Sequence, residues 1–263
     1  MAKIRKTGWI LVFLLGIASC GSLGSEINVF TLQDDIALGK QVVSEIESDS
    51  SGMVILDSAS NSVVYAYLYA VRDTLLNSGA IKYRNEFPWR IRIIHDDSTL
   101  NAFCAPGGYI YVFTGILKFL EAEDQLAGVL GHEMGHADLR HSTRQLTTMY
   151  GVQTLLSIIA GDRAMVRDIT GAIIGLSFSR NHEKEADESS VKLLCPTHYP
   201  ADAGAIFFEK ITSKGGKNPP EILSTHPDPG NRIEAYRQLS ASLGCSGSKS
   251  FKERYQKTIR LLP

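Results

Sequence analysis

His132-Glu133-Met134-Gly135-His136 has the residue types and spacing to do chemistry. Histidines at i and i+4 leave one face of an α-helix, so both imidazoles can reach a single Zn²⁺ ion. Glu133, between them, is placed to take a proton from a water that such an ion acidifies. Three fixed positions recur by chance, however, and a catalytic zinc needs a third protein ligand while keeping one position open.

The longer pattern H-E-x-x-H-x-x-G-x-x-H would supply a third histidine close by. Here position 139 is Leu and position 142 is Ser, and His141 falls one residue early. His141 is therefore expected at the surface near the helix end, where the dipole favours a cation. A better donor lies in Ser179-Arg-Asn-His-Glu-Lys-Glu-Ala-Asp187. Glu183 and Asp187 are four apart and share a helix face. Glu183 can then bind the metal while Asp187 accepts a hydrogen bond from the other ring nitrogen of a ligand histidine. Glu185 falls on a different face and is expected in solvent or in an ion pair. His182 is a competing donor, off the face that carries both acids.

These residues resemble the zinc metallopeptidase family of the HtpX heat-shock protease and the CAAX prenyl protease, in a soluble bacterial lipoprotein branch. The family's third ligand is the Glu of an E-x-x-A-D motif, matched here by Glu183-Lys-Glu-Ala-Asp187. Asn101-Ala-Phe-Cys-Ala-Pro-Gly-Gly108 resembles its N-A-F-x-x-P-G-G segment, and Ser224-Thr-His-Pro-Asp-Pro-Gly-Asn-Arg-Ile233 its S-T-H-P-x-x-x-x-R-I segment. With Ile27-Asn-Val-Phe30 through Gln41, the resemblance runs from about residue 27 to about 240. Cys104 departs from the small or apolar residue usual at its position.

The resemblance implies one Zn²⁺ per chain, held by His132, His136 and Glu183, with Glu133 as general base and Asp187 orienting a ligand histidine. It implies a substrate-binding edge strand at Gly108, Tyr109, Ile110 and Tyr111. His226 and Arg232 are the candidates for stabilising the oxyanion, and His226 has a second possible role, occupying the open zinc position until substrate displaces it. The implied fold is α+β and mostly helical, a zincin-like domain whose small sheet presents an edge strand to the active-site helix.

The elements that must position these groups can be read from periodicity. Ile36, Leu38, Val42, Val43 and Ile46 recur at helical spacing over residues 31–48, as do Val64, Leu68, Val71 and Leu75 over 60–76. Glu121 to Leu130, acidic at its start, leads a helix into the motif. Trp89–Ile94 and Tyr109–Phe113 read as strands, the second after a Pro-Gly-Gly turn. Val152–Ala160 and Ile169–Phe178 are too short to span a membrane and read as buried helices. Further helices are expected at 181–194, 201–213, 228–242 and 253–262.

Of 263 residues 44% are hydrophobic, enough for a sizeable core, and a formal charge of −1 gives no electrostatic case for nucleic acid. Lys3, Arg5 and Lys6, an apolar run from Trp9 to Ile17, and Ile17-Ala-Ser-Cys20 read as a lipoprotein signal peptide, 1–19, with lipidation on Cys20. A linker (20–26) and one metallopeptidase domain (27–263) follow. The expected location is lipid-anchored at the membrane, on the outer membrane facing the periplasm if the organism is Gram-negative. In that oxidising compartment a Cys195–Cys245 disulfide is expected, leaving Cys104 free. The expected partners are misfolded or unfolded envelope proteins as substrates; the alternative is a periplasmic chaperone or assembly factor with latent proteolysis.

Overall fold

The computed structural model describes residues 28–48, 51–159, 162–213, 222–228 and 230–263, with 151–159 described by their backbone alone. The expected signal peptide (1–19), Cys20 and the whole expected linker (20–26) lie outside the described residues. In chain order the elements are α1 (Leu32–Ile46), α2 (Ser62–Leu76), β1 (Arg90–Ile94), β2 (Ala102–Ala105), β3 (Tyr109–Phe113), α3 (Thr114–Phe119) and α4 (Glu123–Asp138). There follow α5 (His141–Ile159), α6 (Arg163–Ile174), α7 (Arg180–Leu194), α8 (Ala203–Ser213), α9 (Ile222–Thr225), α10 (Arg232–Ser242) and α11 (Lys252–Ile259). The molecule is mostly helical with a small sheet, and α1, α2, α4, α7, α8 and α11 fall close to where the apolar periodicity puts them. The helix expected over 169–178 begins earlier, at Arg163, and ends at Ile174, where Gly175 caps it; the burial expected over 152–160 lies outside the described residues. The helix expected from 228 starts instead at Arg232, because Pro227 and the left-handed Gly230 (φ 108°) hold the preceding chain irregular. Among the described residues no helix is long and apolar enough to cross a membrane.

The sheet lies between two apolar layers. Ile91, Ile93, Ile110 and Val112 face the larger core, which they share with residues of α2, α4, α7 and α8. Tyr109, Tyr111 and Phe113 point the other way, onto Val42 and Ile46 of α1 and Ile169 and Ile173 of α6. Burial on both faces explains why β3 reads as an unbroken apolar run.

The strand order β1-β3-β2 corrects one expectation. Tyr109, Ile110 and Tyr111, after Gly108, lie in the central strand, parallel to β1 and antiparallel to β2, so they cannot be the substrate edge. Gly107 and Gly108, at φ 79° and 80°, make the tight turn that folds β3 back on β2. Which strand then joins the far side of β3 is decided by the packing of α2 under β1, a long-range matter. The edge that flanks the active-site helix is β2. Phe113 N–H donates to the Asn101 carbonyl at 3.2 Å, so the main-chain groups of Ala102 and Cys104 face outward. They are held by side chains: Asn101 Oδ1 accepts from Ala102 N–H at 2.9 Å and Ser142 Oγ donates to the Cys104 carbonyl at 3.2 Å.

α4 is buried along its whole length and crosses α7 at close range. A Cβ at Gly131 would stand 2.8 Å from Ser190 Oγ, and one at Gly135 2.9 Å from Ser189 Cβ. These two bare faces let α7 approach until Glu183 reaches the motif histidines. At the start of α4 the buried Glu123 carboxylate accepts from the Tyr67 and Tyr199 hydroxyls and pairs with Arg254, tying α11 to the core.

Cys195, at the end of α7, is bonded to Cys245 beyond α10, closing a loop with a sequence separation of 50; Cys104 is free and buried. In the chain-entropy account a loop of this length stabilises by about 4 kcal/mol. Reduction, or the paired Cys195→Ser and Cys245→Ser change, should lower the unfolding free energy by about 2–4 kcal/mol. Urea titration with and without reductant measures it; coincident curves would show that the bond contributes no stability.

Candidate metal centre

His132 and His136 project from one face of α4, and Glu183 comes from the first turn of α7. The irregular segment after α9 brings in His226. All four are buried. His132 Nε2 lies 3.0 Å from His136 Nε2, 3.4 Å from Glu183 Oε2 and 3.2 Å from His226 Nδ1. Glu183 Oε1 is 3.3 Å from His136 Nε2 and 3.1 Å from His226 Nδ1. Tetrahedral zinc with nitrogen and oxygen ligands at ~2.0–2.1 Å sets its donors about 3.3–3.4 Å apart, so this donor set fits the ion. Two buried imidazole lone pairs 3.0 Å apart also repel unless a cation or proton lies between them.

Each ligand is oriented from behind. His132 Nδ1 is 2.9 Å from Asp187 Oδ1, so the carboxylate orients the ring with Nε2 toward the centre. Tyr236 Oη donates to the same Asp187 oxygen at 2.9 Å. Phe178 stacks on the His136 ring with centroids 4.0 Å apart. Arg232 was expected beside the reacting carbonyl, and the structure corrects this. Its buried guanidinium donates to Asp187 from Nε at 2.8 Å and from Nη2 at 2.9 Å, and to Glu183 Oε2 at 2.7 Å. It therefore lies behind the donors and balances their charge. Its position, six residues after His226, gave no sign of this, because the direction of α10 depends on tertiary packing.

His141 is a second correction. It is fully buried, with Nδ1 2.9 Å from His136 Nδ1 and Nε2 2.9 Å from Glu185 Oε2. A continuing helix would carry residue i+5 about 140° around from His136. Arg140 ends α4 in a left-handed conformation, φ 60°, and turns the chain back so that His141 faces the site. Arg140 is held there by bonds to Asp35, Phe30 O and Thr31 O, contacts more than a hundred residues away in sequence. Burial pushes the His141 pKa down to about 4, so it is neutral at pH 7. His182 is also buried and stacks on His141 at 4.3 Å, off the donor set. Glu185 is half-exposed and pairs with Arg144 and His141.

Glu133 is buried, and among the described residues neither of its carboxylate oxygens has a hydrogen-bond partner. Its Oε1 lies 3.6 Å from His226 Nε2. Burial raises its pKa. A small cavity of about 10 Å³ adjoins His132 and Glu133 and is lined by Val129, Phe207, Phe208, Ile222 and Tyr236. Buried, unpaired carboxylates are costly, and one aimed into a cleft beside metal donors is placed for proton transfer.

Burial alone would lower the His132 pKa, but the Glu183 carboxylate and the Asp187 hydrogen bond outweigh it and hold it at about 9. This folded-state value lies above the ordinary 6.5. The stability it confers on the metal-free protein is complete below pH 6.5 and is lost as pH rises through 9. Zinc must displace that proton, so apparent zinc affinity should climb by about tenfold per pH unit across this window. Chelator competition at several pH values checks this; a flat profile would mean that His132 carries no competing proton.

The fold and the site together define a zincin-type metallopeptidase centre: two histidines of H-E-x-x-H, a downstream glutamate and the buried glutamate of the motif beside them. A family model described as peptidase family M48 matches residues 65–240, and the chain belongs to that family, whose metalloproteases use zinc. The chain is 32% identical over 154 residues to the mitochondrial metalloendopeptidase OMA1 of Arabidopsis thaliana, covering 58% of this chain and 32% of the relative. It is 28% identical over 191 residues to the β-barrel assembly-enhancing protease of Escherichia coli, covering 66% and 39%. Against the OMA1 of Schizosaccharomyces pombe the identity is 30% over 160 residues, covering 59% and 47%. The matches thus span less than half the length of these relatives.

Proposed function

We propose that this chain is a zinc-dependent endopeptidase acting on unfolded or misfolded envelope proteins, anchored to the membrane through a lipid on Cys20 and held latched at rest by His226. The observation that carries the reading is the four-donor cluster with the unpartnered Glu133 beside it. The β-barrel assembly named for the Escherichia coli relative supports an envelope substrate. When bound by His132, His136 and Glu183, zinc supplies a Lewis acid that polarises the scissile carbonyl and acidifies the attacking water. Glu133 takes the water's proton and passes it to the leaving amide nitrogen. The outward main-chain groups of Ala102 and Cys104 pair with the extended substrate backbone, displacing the Asn101 and Ser142 side chains that hold them now.

His226 completes the donor set, and a catalytic site needs one position free. Its seat, 3.2 Å from His132 Nε2 and 3.1 Å from Glu183 Oε1, is that of a fourth ligand. The test is metal content and casein cleavage for the wild type and His226→Ala. One zinc per chain with chelator-sensitive cleavage supports the peptidase, and a several-fold faster rate for His226→Ala supports the latch. A protein that takes up no zinc defeats the central reading. A slower His226→Ala enzyme defeats the latch and favours His226 as the oxyanion donor.

A further inference from the structure

The geometry points to His141 and Glu185 as positioning residues that set the tautomer of His136 and so its strength as a metal ligand. The inference rests on the zinc reading above and extends it to residues outside the donor set.

His136 Nε2 faces the centre, 3.0 Å from His132 Nε2 and 3.3 Å from Glu183 Oε1. Its other nitrogen, Nδ1, stands 2.9 Å from His141 Nδ1. Two neutral imidazole nitrogens at that distance share one proton, and either can carry it. If His141 Nδ1 carries it, His136 must hold its own proton on Nε2, directed at the centre, where it would block a cation. His141 Nε2 would then be bare and would face the Glu185 carboxylate, lone pair against lone pair. If His136 Nδ1 carries the proton, His136 Nε2 is bare and points at the centre. His141 Nε2–H then donates to Glu185 Oε2 at 2.9 Å.

An ionised carboxylate only accepts hydrogen bonds, so Glu185 selects the second arrangement. Arg144 Nη1, 3.0 Å from the same oxygen, favours its ionised form. Stacking of His141 on His182, 18° between ring planes, fixes the ring that relays the choice. The two motif histidines are thus supported differently. His132 leans directly on the buried Asp187, whereas His136 leans through His141 on a half-exposed carboxylate.

The experiment uses the full-length protein and four variants, Glu185→Ala, Glu185→Gln, His141→Asn and His141→Leu. Zinc affinity is read by chelator competition, the Co²⁺ absorption spectrum reports ligand geometry, and thermal unfolding of the metal-free protein reports the fold. Loss of a partner that orients a ligand histidine weakens metal binding by about 10–100-fold. That loss is expected for His141→Leu, a smaller one for Glu185→Ala, and a partial one for Glu185→Gln. His141→Asn, whose amide oxygen can accept from His136 Nδ1–H, should stay within about threefold of wild type.

The proposal is overturned if Glu185→Ala and His141→Leu, with metal-free unfolding unchanged, bind zinc as tightly as wild type. It is also overturned if His141→Asn binds as weakly as His141→Leu, since the ring would then matter only as filling. Should His141→Leu fail to fold, the half-exposed Glu185 variants decide. A wild-type protein that binds no zinc would defeat the metal reading itself and is distinguishable from these outcomes.

Discussion

Replacing Glu133 by Gln should leave one zinc bound per chain and lower casein cleavage by about 10²–10⁴-fold, the usual contribution of a positioned general base. Gln keeps the shape of the side chain and cannot take a proton. Glu133 makes no hydrogen bond among the described residues, so its replacement breaks none and removes only the 3.6 Å ion-pair contact with His226. Burial raises its pKa, which makes it a stronger base than an exposed glutamate once substrate and water enter. Metal analysis beside a cleavage assay measures the effect. Full cleavage by Glu133→Gln would remove Glu133 from the mechanism, and loss of zinc would give it a structural role. The same variant separates the enzyme from the chaperone alternative. If Glu133→Gln restores the envelope of a strain lacking the protein as well as wild type does, catalysis is not its essential task.

Arg232→Leu should be the most damaging substitution for stability, costing about 3–5 kcal/mol, because it strands buried carboxylates without their partner. Glu183 and Asp187 both accept from this guanidinium, and both are held below the ordinary carboxylate range despite burial, Glu183 by His226 and His132, Asp187 by His132 and then Arg232. With zinc, the two positive charges of the ion and one of Arg232 offset Glu133, Glu183 and Asp187. Without zinc, the proton on His132 and the charge of Arg232 offset Glu183 and Asp187. Leucine removes one of these positive charges in either state. Lysine should recover little, since a point charge cannot make the two bonds to Asp187 together with the one to Glu183. Urea unfolding of the metal-free and zinc-loaded proteins measures the loss. A cost below 1 kcal/mol would mean that water reaches and screens the two carboxylates.

The helices were legible from sequence wherever an apolar stripe at helical spacing had to be buried, because that signal is local. The shared face of His132 and His136 was legible for the same reason, as was that of Glu183 and Asp187; that the two faces meet was implied by the family resemblance, not by local spacing. Two donors one helical turn apart share a face whatever surrounds them, and so do Glu183 and Asp187.

The tertiary structure decided what those local rules could not. The order of the strands placed β3 in the centre and left β2 as the edge, because the choice depends on which helix covers which face. His141 counted as a surface residue in a helix-end reading, yet it is buried behind His136, because the left-handed Arg140 is held by residues of the N-terminal segment and α1. Arg232 sits behind the ligands because α10 packs along α7 and α8. The sequence by itself determined which groups can do the chemistry, since ligand type and short-range spacing are properties of the chain. Which groups support them, and from which side, was decided by contacts between residues far apart in the chain, which no local periodicity encodes.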